Sequence, residues 1–543
     1  MLSNDHMSEN TAKSIIKPTS ISILHLIIAF ILPALLYSLS VKAPFVYDDY
    51  RVVLHDAAVQ NLDLLKIWQQ PRSLHYTLIS LLWHFFKDNP APYHCANAFL
   101  LAMFSAACFL LFHRLSDHVS AKIALFAALL VSLNPLSSQA TLHISQGSEI
   151  LAALFTVLSL YCLFLARSDF ENKAINKNFW SSYFGAFLFA LFACFSKQNA
   201  AVLPILWASM EIFGFPSTKL SYLARIWFIL PLLIGVILPL STANPFPWFA
   251  MQVKAAIPQN SSSMVTVTPW AYRFTQLVVF WKYISLLCFP AKLSLEHEVV
   301  VQNSLAAPIV LFSGFGILAF LAVAWTIRYR FWLISAGIVI AVFGGIVTHV
   351  IPLEDMMVEH RMLIPLVGWG LIILGFGSIL DDYKRKLIIP AFLLLAFYIA
   401  SDLHRVWIWS DEIRLYADAA KKSPHLARPL NNLGAAYASR NDFSDAKKAF
   451  EKALIIDPQN AKALGNLARI HFENKDYEQA KQLYEKSLEY DANSADSWTG
   501  LGATFLRLQL FPQAFHAFNQ CLIHRPKDPQ CTKGLAILAY KSP

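Results

Sequence analysis

Two adjacent aspartates, Asp48 and Asp49, follow directly on a run of mostly apolar residues in the stretch FVYDDYR, 45–51, and Arg51 stands two places later. A carboxylate in such a position can act as a general base on an acceptor hydroxyl. Two adjacent carboxylates can also share a proton, which raises the pKa of one of them. The pair therefore predicts proton-transfer chemistry at the mouth of a hydrophobic segment.

Several cations and histidines accompany the aspartates in other polar breaks of the chain. Arginine and lysine side chains hold the oxygens of a phosphate and stabilise that phosphate as it leaves. Together with a carboxylate and many apolar segments, they fit the transfer of a sugar from a polyprenyl-phosphate carrier. The sequence contains no GxxxxGK(S/T) loop and no HExxH motif, so it predicts neither an ATP-driven enzyme nor a metal site.

The composition is that of a membrane protein. Of 543 residues, 56% are hydrophobic and 15% are charged, whereas a soluble protein carries about 25% charged residues. Residues 1–405 are almost all apolar segments, and the chain from about residue 410 onward is typical of a soluble helical domain. The net charge of +9 comes mainly from short loops, which predicts the positive-inside bias and no nucleic-acid partner.

About eleven segments are candidates to cross the membrane, although several are shorter than the roughly 20 apolar residues that a crossing helix needs. They are 21–40, 93–113, 119–134, 149–166, 179–196, 198–213, 225–241, 305–327, 331–350, 361–380 and 387–404.

The loop charges predict the sidedness of these segments. The basic loops are 113–122, 167–177, 217–225, 328–330 and 381–386. All of them are cytoplasmic, as the positive-inside rule requires, if residues 1–20 are cytoplasmic and 272–290 do not cross. We therefore predict an interfacial helix over 272–290, where Lys282 breaks the apolar run, and another over 73–87. This topology fits a bacterial inner membrane, and an endoplasmic-reticulum protein would share it.

The same topology gathers the polar residues of the membrane part on the non-cytoplasmic side. Ionisable residues at membrane depth are costly and usually functional, so the set predicts a functional cavity there. Its members are Asp48, Asp49, Arg51, Arg72, His143, Lys197, His297, Glu354, Asp355, Glu359, His360 and Arg361.

The C-terminal part repeats with a period of 34 residues, because Leu433, Leu467 and Leu501 share one phase. Small residues occupy a second phase at Ala446, Ala480 and Ala514, and aromatic residues a third at Phe450, Tyr484 and Phe518. This is the tetratricopeptide pattern of helix–turn–helix units. It predicts a half repeat at 409–426 and full repeats at 427–460, 461–494 and 495–528. Such arrays bind segments of other chains, the alternative being a lid or an assembly contact.

The last span exits on the outer side, so the repeats are predicted to be periplasmic. Cys521 and Cys531 would pair there if the compartment is oxidising.

Six short stretches, in this order, resemble the transmembrane and tetratricopeptide-repeat O-mannosyltransferases and their bacterial relatives, of the GT-C glycosyltransferase fold. The stretches are FVYDDYRVVLHD (45–56), PRSLHY (71–76), PYHCANAFL (92–100), FSKQNAAVL (195–203), CFPAKLSLEH (288–297) and EHRMLIP (359–365). The resemblance covers nearly the whole chain. It implies an all-α protein with a GT-C-type transmembrane domain over 21–405 and a repeat domain over 409–543.

The resemblance also implies roles for residues. The catalytic base falls on Asp48 or Asp49, with Asp48 slightly favoured. Arg361, Lys197 and Arg72 are the candidates to bind the carrier phosphate, and Arg51 is a weaker one. The supporting residues are Glu359, His360, His94, Asn97, His143 and His297, although His94 and Asn97 could serve packing alone.

The implied substrates are a lipid-linked sugar, with no bound cofactor, and a hydroxyl of a protein acceptor such as a pilin or another secreted or surface protein.

The sequence departs from the family after Pro135. Ser137, Gln139 and Gly147 stand where the family tends to carry His, Glu and Arg, which leaves the sugar and the acceptor open. Compensation by His143 or Glu149 is a hypothesis. The alternative function is a non-catalytic membrane scaffold whose repeats help to assemble an envelope or pilus complex. A transporter is disfavoured, because Lys282 is the main mid-segment charge.

Overall fold

The structure is a computed structural model that describes residues 22–115, 119–215, 221–242, 267–380 and 384–541. The predicted cytoplasmic segment 1–20 and parts of the basic loops 113–122, 217–225 and 381–386 lie outside the described residues. All regular elements in the described ranges are helical. The described residues divide into two units, of which the first contains those of 22–242, 269–293 and 301–410 and the second contains 267–268, 294–300 and 411–541.

The first unit is built from long helices joined by short helical turns. Its α-helices are α1 (Ile23–Ser38), α2 (Ala57–Gln60), α3 (Leu64–Trp68), α4 (Ser73–Phe86), α5 (Ala91–Leu115), α6 (Ala121–Ser132), α7 (Ser138–Leu142), α8 (Gly147–Glu171), α9 (Lys177–Ser196), α10 (Leu203–Ser209), α11 (Tyr222–Thr242), α12 (Pro269–Cys288), α13 (Pro308–Ile327), α14 (Trp332–Phe343), α15 (Ile346–Val350), α16 (Leu363–Ile379) and α17 (Lys384–Trp409). The 3₁₀ or π turns are Leu39–Lys42, Tyr50–Leu54, Pro135–Ser137, Ile144–Gln146, Gln198–Val202, Met210–Gly214, Pro290–Lys292 and Glu359–Met362.

Eight helices among the described residues are long and apolar enough to cross a membrane. They are Ile23–Lys42, Ala91–Leu115, Ile144–Glu171, Lys177–Ser196, Pro308–Ile327, Trp332–Val350, Glu359–Ile379 and Ile388–Trp409. A ninth span exists if Ala121–Ser132 and Pro135–Leu142, bent by 44°, count as one. Large apolar side chains on their outer faces are exposed, for example Phe312 at 77% and Phe315 at 65%. Such surfaces suit a lipid environment.

Eight is three fewer than the eleven spans that the sequence predicts. Segment 119–134 falls in the bent pair Ala121–Ser132 and Pro135–Leu142, and the other two segments are 198–213 and 225–241. Segment 198–213 breaks into a 3₁₀ turn, the short α10 and a π turn. Segment 225–241 lies inside the 21-residue helix α11, which contains the apolar helical stretch Leu223–Pro239, and its crossing of the membrane stays a prediction. Residues 272–290 coincide closely with α12, and their interfacial placement stays a prediction.

Small residues let two of the long helices approach closely. A Cβ placed on Gly337 of α14 would lie 2.5 Å from the carbonyl oxygen of Gly368 on α16. A Cβ placed on Gly368 of α16 would likewise lie 2.5 Å from the backbone nitrogen of Ala341 on α14. Helices in a membrane gain their association energy from such backbone contact. These two glycines therefore fix the α14–α16 crossing beside the turn Glu359–Met362.

The second unit is a series of paired helices. They are α18 (Glu412–Lys422), α19 (Ala427–Ser439), α20 (Phe443–Ile456), α21 (Ala461–Glu473), α22 (Tyr477–Tyr490), α23 (Ala495–Arg507), α24 (Phe511–His524) and α25 (Pro529–Lys541). The turn inside each pair contains one residue of positive φ, at Asn441, Lys475 and Gln509, which are spaced by the repeat period. Gly434 packs on the ring of the fully buried Phe450, and a side chain at this position would collide with that ring.

Two further contacts complete the second unit. Segment 294–300, which the sequence analysis placed in the membrane domain, groups with the repeats. Glu296 Oε2 there accepts a hydrogen bond from Nε of Arg428 at 2.7 Å, and the Glu296 carbonyl accepts one from the Ser423 hydroxyl. Cys521 of α24 and Cys531 of α25 form a disulfide, so the last helix is covalently tied to the repeat before it.

Candidate functional site

Asp49 lies at the centre of the first loop and is completely buried. Its Oδ2 accepts a hydrogen bond from the Val46 amide at 3.1 Å, across Tyr47, whose φ is +52°. Its Oδ1 accepts one from the Ser145 amide at 2.7 Å. Burial raises the pKa of Asp49, while His143 and the two amides oppose that shift. The carboxylate therefore joins the first loop to the turn before α8.

His143 is the side chain that lies next to the Asp49 carboxylate. Its Nε2 lies 3.5 Å from Asp49 Oδ1, and its side chain is 8% exposed. The ring sits between Tyr47 and Trp409, at centroid distances of 6.4 and 6.0 Å. Tight packing of this kind holds the imidazole next to the carboxylate.

Asp48 has the opposite environment. Its side chain is 45% exposed, and its contact is an ion pair with Arg51 at 3.7 Å. Arg51 is 73% exposed, so solvent screens the pair and it contributes little to stability. Of the two aspartates, Asp48 is the one whose carboxylate an incoming molecule could reach.

The three favoured phosphate-binding candidates, Arg72, Lys197 and Arg361, come together in the first unit. We call them the cationic cluster. The charges of Arg72 and Arg361 act on Lys197, and all three act on His360. The Nη1 atom of Arg72 is buried and has no hydrogen-bond partner in the described ranges. Residues separated by up to 289 positions in the chain therefore form one electrostatic environment.

Lys197 is held by groups at the start of α8. Its Nζ donates to Gln146 Oε1 at 2.9 Å and forms an ion pair with Glu149 Oε1 at 2.8 Å. Glu149 is 2% exposed and also accepts a hydrogen bond from Asn199. Burial lowers the pKa of Lys197 to about 7; Glu149 opposes this shift, whereas Arg72 and Arg361 add to it.

Glu359, His360 and Arg361 all lie in the turn Glu359–Met362. Arg361 Nη1 donates to the Asp355 carbonyl at 2.8 Å, and its guanidinium also bonds Tyr272 of α12. The helix α17 holds this turn, because Glu359 is completely buried and its carboxylate pairs with Nη2 of Arg405 on α17 at 3.1 Å. The helix α17 therefore anchors the turn that carries Arg361.

Three positions that depart from the resemblance, Ser137, Gln139 and Gly147, have defined contacts. Gln139 Oε1 accepts from the backbone amide and from Nδ1 of His360, at 3.0 and 3.1 Å. The Ser137 hydroxyl donates to the Ser132 carbonyl at 2.8 Å. A side chain at Gly147 would collide with Asn97 Oδ1 and would lie 2.8 Å from His75 Nε2. The space at Gly147 is thus filled by side chains from α4 and α5.

The remaining predicted residues have positioning contacts or lie elsewhere. His94 Nε2 bonds the Ala43 carbonyl at 3.0 Å. The Asn97 amide donates to the Thr141 carbonyl at 3.2 Å, and at 3.4 Å to those of His143 and Ile144. Both therefore shape the walls of the site. His297 belongs to the second unit and is not placed among the first-unit residues.

Sequence reasoning missed several buried polar residues. Asp402 and Arg405 lie on one face of the apolar helix α17, and both are at most 2% exposed. Asp402 is beside Tyr37 of α1, and Arg405 holds Glu359. The sequence did contain a signal for Asp402 and Arg405, because two opposite charges three residues apart inside an apolar run are costly and usually functional. Gln146, Asn199 and His75 gave no such signal, because single polar residues in loops and interfacial helices are common.

The described residues contain one group of metal-ligand type, Cys521, Asp528 and Cys531. Its two sulfur atoms form the disulfide, so the group has no thiolates to offer an ion.

The tetratricopeptide-repeat family matches residues 437–504. The C-terminal helices are tetratricopeptide repeats. Among solved structures, the TPR domain of Arabidopsis OM64 is 18% identical and covers 21% of this chain and 95% of its own, with a TM-score of 0.21. The Sgt2 TPR domain of Aspergillus fumigatus is 22% identical and covers 21% of this chain and 78% of its own, with a TM-score of 0.21.

MamA is 19% identical and covers 24% of this chain and 75% of its own, with a TM-score of 0.22. No curated protein matches the chain. Similarities at these values carry no functional information.

Proposed function

We propose that this protein is a GT-C-type glycosyltransferase that moves a sugar from a polyprenyl-phosphate carrier to a protein hydroxyl. The reaction would take place on the non-cytoplasmic side of a bacterial inner membrane. The observation that carries the proposal is the cationic cluster beside Asp49 and His143 in the first unit.

The cationic cluster has more positive charge than its surroundings neutralise. Among the described residues, Lys197 alone of the three makes an ion pair, with Glu149. Arg72 Nη1 is buried without a hydrogen-bond partner in the described ranges. A buried donor without a partner is costly, and an excess of cations attracts an anion. A phosphate diester supplies the acceptor oxygens and the negative charge that this site lacks.

The first loop supplies the proton acceptor. In the proposed reaction the acceptor hydroxyl attacks C1 of the sugar, and its proton passes to the Asp48 carboxylate. The bond between C1 and the phosphate oxygen breaks, and its electron pair stays on the phosphate. Arg72, Lys197 and Arg361 stabilise that charge. Asp49 is buried, with each of its oxygens bonded to a backbone amide, so we assign it to positioning of the loop.

Two features outside the site support the proposal. The long apolar helices offer surfaces that match a polyprenyl chain. The tetratricopeptide repeats provide a surface of the type that binds protein segments, which suits a protein acceptor.

The decisive experiment is intact-mass analysis of secreted and surface proteins from cells with and without this protein. We expect a mass increment of one or more sugars that requires the wild-type chain. Asp48→Asn should reduce its formation by about 100-fold or more, the usual effect of losing a general base. Arg72→Gln should reduce it through weaker donor binding. Asp88→Asn alters an exposed aspartate of the same outer loop and should leave the increment unchanged.

The scaffold alternative gives a different pattern. It predicts that no mass increment is found, that Asp48→Asn has no effect, and that deletion of 427–543 abolishes the cellular phenotype. These three results together would show that the protein acts through its repeats and that the transferase proposal is wrong.

A further inference from the structure

His75 is a buried histidine at the edge of the cationic cluster that the mechanism above does not use. It lies on α4, one turn after Arg72, and is 1% exposed. The charges of Arg72 and Lys197 both act on its ring. Its position therefore belongs to the site in which the carrier phosphate is proposed to bind.

The two ring nitrogens of His75 have different surroundings. Nε2 faces Gly147, where a Cβ would lie only 2.8 Å away, and the Ile144 carbonyl interacts with the ring. Nδ1 is buried and has no hydrogen-bond partner among the residues that the structure describes. One nitrogen is thus engaged with the α8 turn, and the other is left for a ligand.

The ring is neutral at physiological pH. Burial lowers the pKa of His75 to about 3, and the charges of Arg72 and Lys197 contribute to that shift. A neutral imidazole has one N–H donor and one acceptor nitrogen. With the N–H directed to the Ile144 carbonyl, Nδ1 is an acceptor that needs a donor.

This requirement selects the part of the substrate that His75 can bind. A phosphate diester offers only acceptor oxygens, so it cannot satisfy an acceptor nitrogen. A sugar attached to that phosphate carries hydroxyl donors within reach of groups next to the cationic cluster. We propose that His75 accepts a hydrogen bond from a hydroxyl of the carrier-linked sugar and so contributes to the choice of sugar. This inference rests on the proposed function.

Gly147 adds to this support. It stands where the resemblance would place an arginine, and the volume of that side chain is occupied by His75 and Asn97. The site thus offers the neutral acceptor of His75 beside a position where an arginine would offer only donors. We therefore expect a sugar preference that depends on His75.

The test is a binding measurement with the full chain in lipid nanodiscs. One probe is a polyprenyl methyl phosphate, which has the single negative charge of the donor and no hydroxyl. The others are polyprenyl-phosphate monosaccharides, each lacking one hydroxyl. We expect His75→Phe to weaken binding of the preferred sugar donor by about 3- to 10-fold, the range for one lost hydrogen bond. It should leave binding of the methyl ester within about twofold of wild type.

Controls separate this inference from the proposed function. His75→Gln retains an acceptor oxygen and should restore part of the sugar affinity. His84→Phe changes an exposed histidine of the same helix and should change neither ligand. Equal affinities of wild type and His75→Phe for every sugar, or an equal loss for the sugar donor and the methyl ester, would overturn the inference alone. Absence of binding of the methyl ester to wild type would overturn the phosphate site as well.

Discussion

At the residue scale, burial separates two side chains that the sequence leaves equivalent. Asp48 and Asp49 are adjacent and chemically identical, yet one is 45% exposed and the other is completely enclosed. Both oxygens of the Asp49 carboxylate accept hydrogen bonds from backbone amides, which hold that side chain in place as a positioning group. The same principle makes His75 an acceptor and Lys197 a weakly protonated amine, because each is removed from water.

Lys197 should make donor binding depend on pH near neutrality. Its pKa in the free protein is lowered to about 7 by burial, with Glu149 opposing and Arg72 and Arg361 adding to the shift. A bound anion favours the charged amine, so binding takes up a proton and weakens as pH rises. Titration with a polyprenyl-phosphate sugar, a diester that does not itself ionise in this range, should give a Kd that increases about 10- to 30-fold from about pH 6 to about pH 8.5.

Lys197→Arg is the matched control for that titration, because arginine stays protonated throughout the range. Its Kd should be nearly constant with pH. A wild-type Kd that is equally constant would show that Lys197 keeps its charge and that the cationic cluster is fully protonated when empty.

The site residues were predictable in type but not in their contacts. Arg72, Lys197 and Arg361 were predicted as a group, and the structure brings them together. Which of them lacks a partner depends on Gln146, Glu149 and Asn199, and these contacts arise only when the turns before α8 and α10 pack together. A single sequence carries no record of such packing.

At the element scale, α17 supports the turn that presents His360 and Arg361. The Arg405–Glu359 pair is at most 3% exposed on either side, and Arg405 also bonds Ser138 and the Leu293 carbonyl. Attraction within a buried pair roughly balances its desolvation cost, whereas an unpaired buried charge is strongly unfavourable. The pair thus determines the geometry of the turn more than it contributes net stability.

Arg405→Met should therefore destabilise the first unit by about 3 to 5 kcal/mol, because it leaves Glu359 buried without its cation. The double variant Glu359→Leu/Arg405→Met should recover most of that loss. Thermal unfolding of the four forms in detergent gives the coupling energy of the pair. Additive effects of the two single changes would show that the residues do not interact.

Phe450 is a core residue that holds three helices of the repeats together. It is completely buried between Gly434 and the neighbouring helices, so Phe450→Ala should cost about 3 to 5 kcal/mol of local stability. Hydrogen exchange of the full chain should then show faster exchange in α19, α20 and α21. Phe515→Ala, at a ring that is 57% exposed, is the control and should leave exchange unchanged.

Elements differ in how well the sequence predicts them. The repeats follow a strict period, and the family match at 437–504 confirms them. Segment 198–213 is predicted as a span from its hydropathy, but 3₁₀ and π turns break its helix, and such turns depend on packing and backbone geometry. Segment 225–241 is helical throughout, as part of α11.

At the scale of the whole molecule, the disulfide bears on where the repeats reside. Disulfides persist in oxidising compartments such as the bacterial periplasm. The Cys521–Cys531 bond therefore agrees with the predicted outward exit of the last span. In addition, closure of a short loop typically stabilises a fold by about 2 to 4 kcal/mol.

We expect Cys521 and Cys531 to resist a thiol-reactive maleimide in unfolded samples taken from cells under alkylating conditions, and to react after reduction. A mobility or mass shift that depends on reductant measures this. The double variant Cys521→Ser/Cys531→Ser should show no such change. Free thiols at both positions before reduction would place the repeats in a reducing compartment, contrary to the predicted topology.

The pairing of Glu296 with Arg428 ties 294–300 to the repeats, so the second unit is assembled from pieces of chain that are distant in sequence. A secreted fragment beginning at Asp411 would fold without 294–300 and would leave the Arg428 guanidinium without the Glu296 carboxylate. Such a fragment should bind a synthetic peptide of sequence SLEHEVV in trans, and Glu296→Gln in that peptide should weaken the association. The repeat region is thus a split domain, and reagents raised against the isolated fragment would recognise a surface that the intact protein covers.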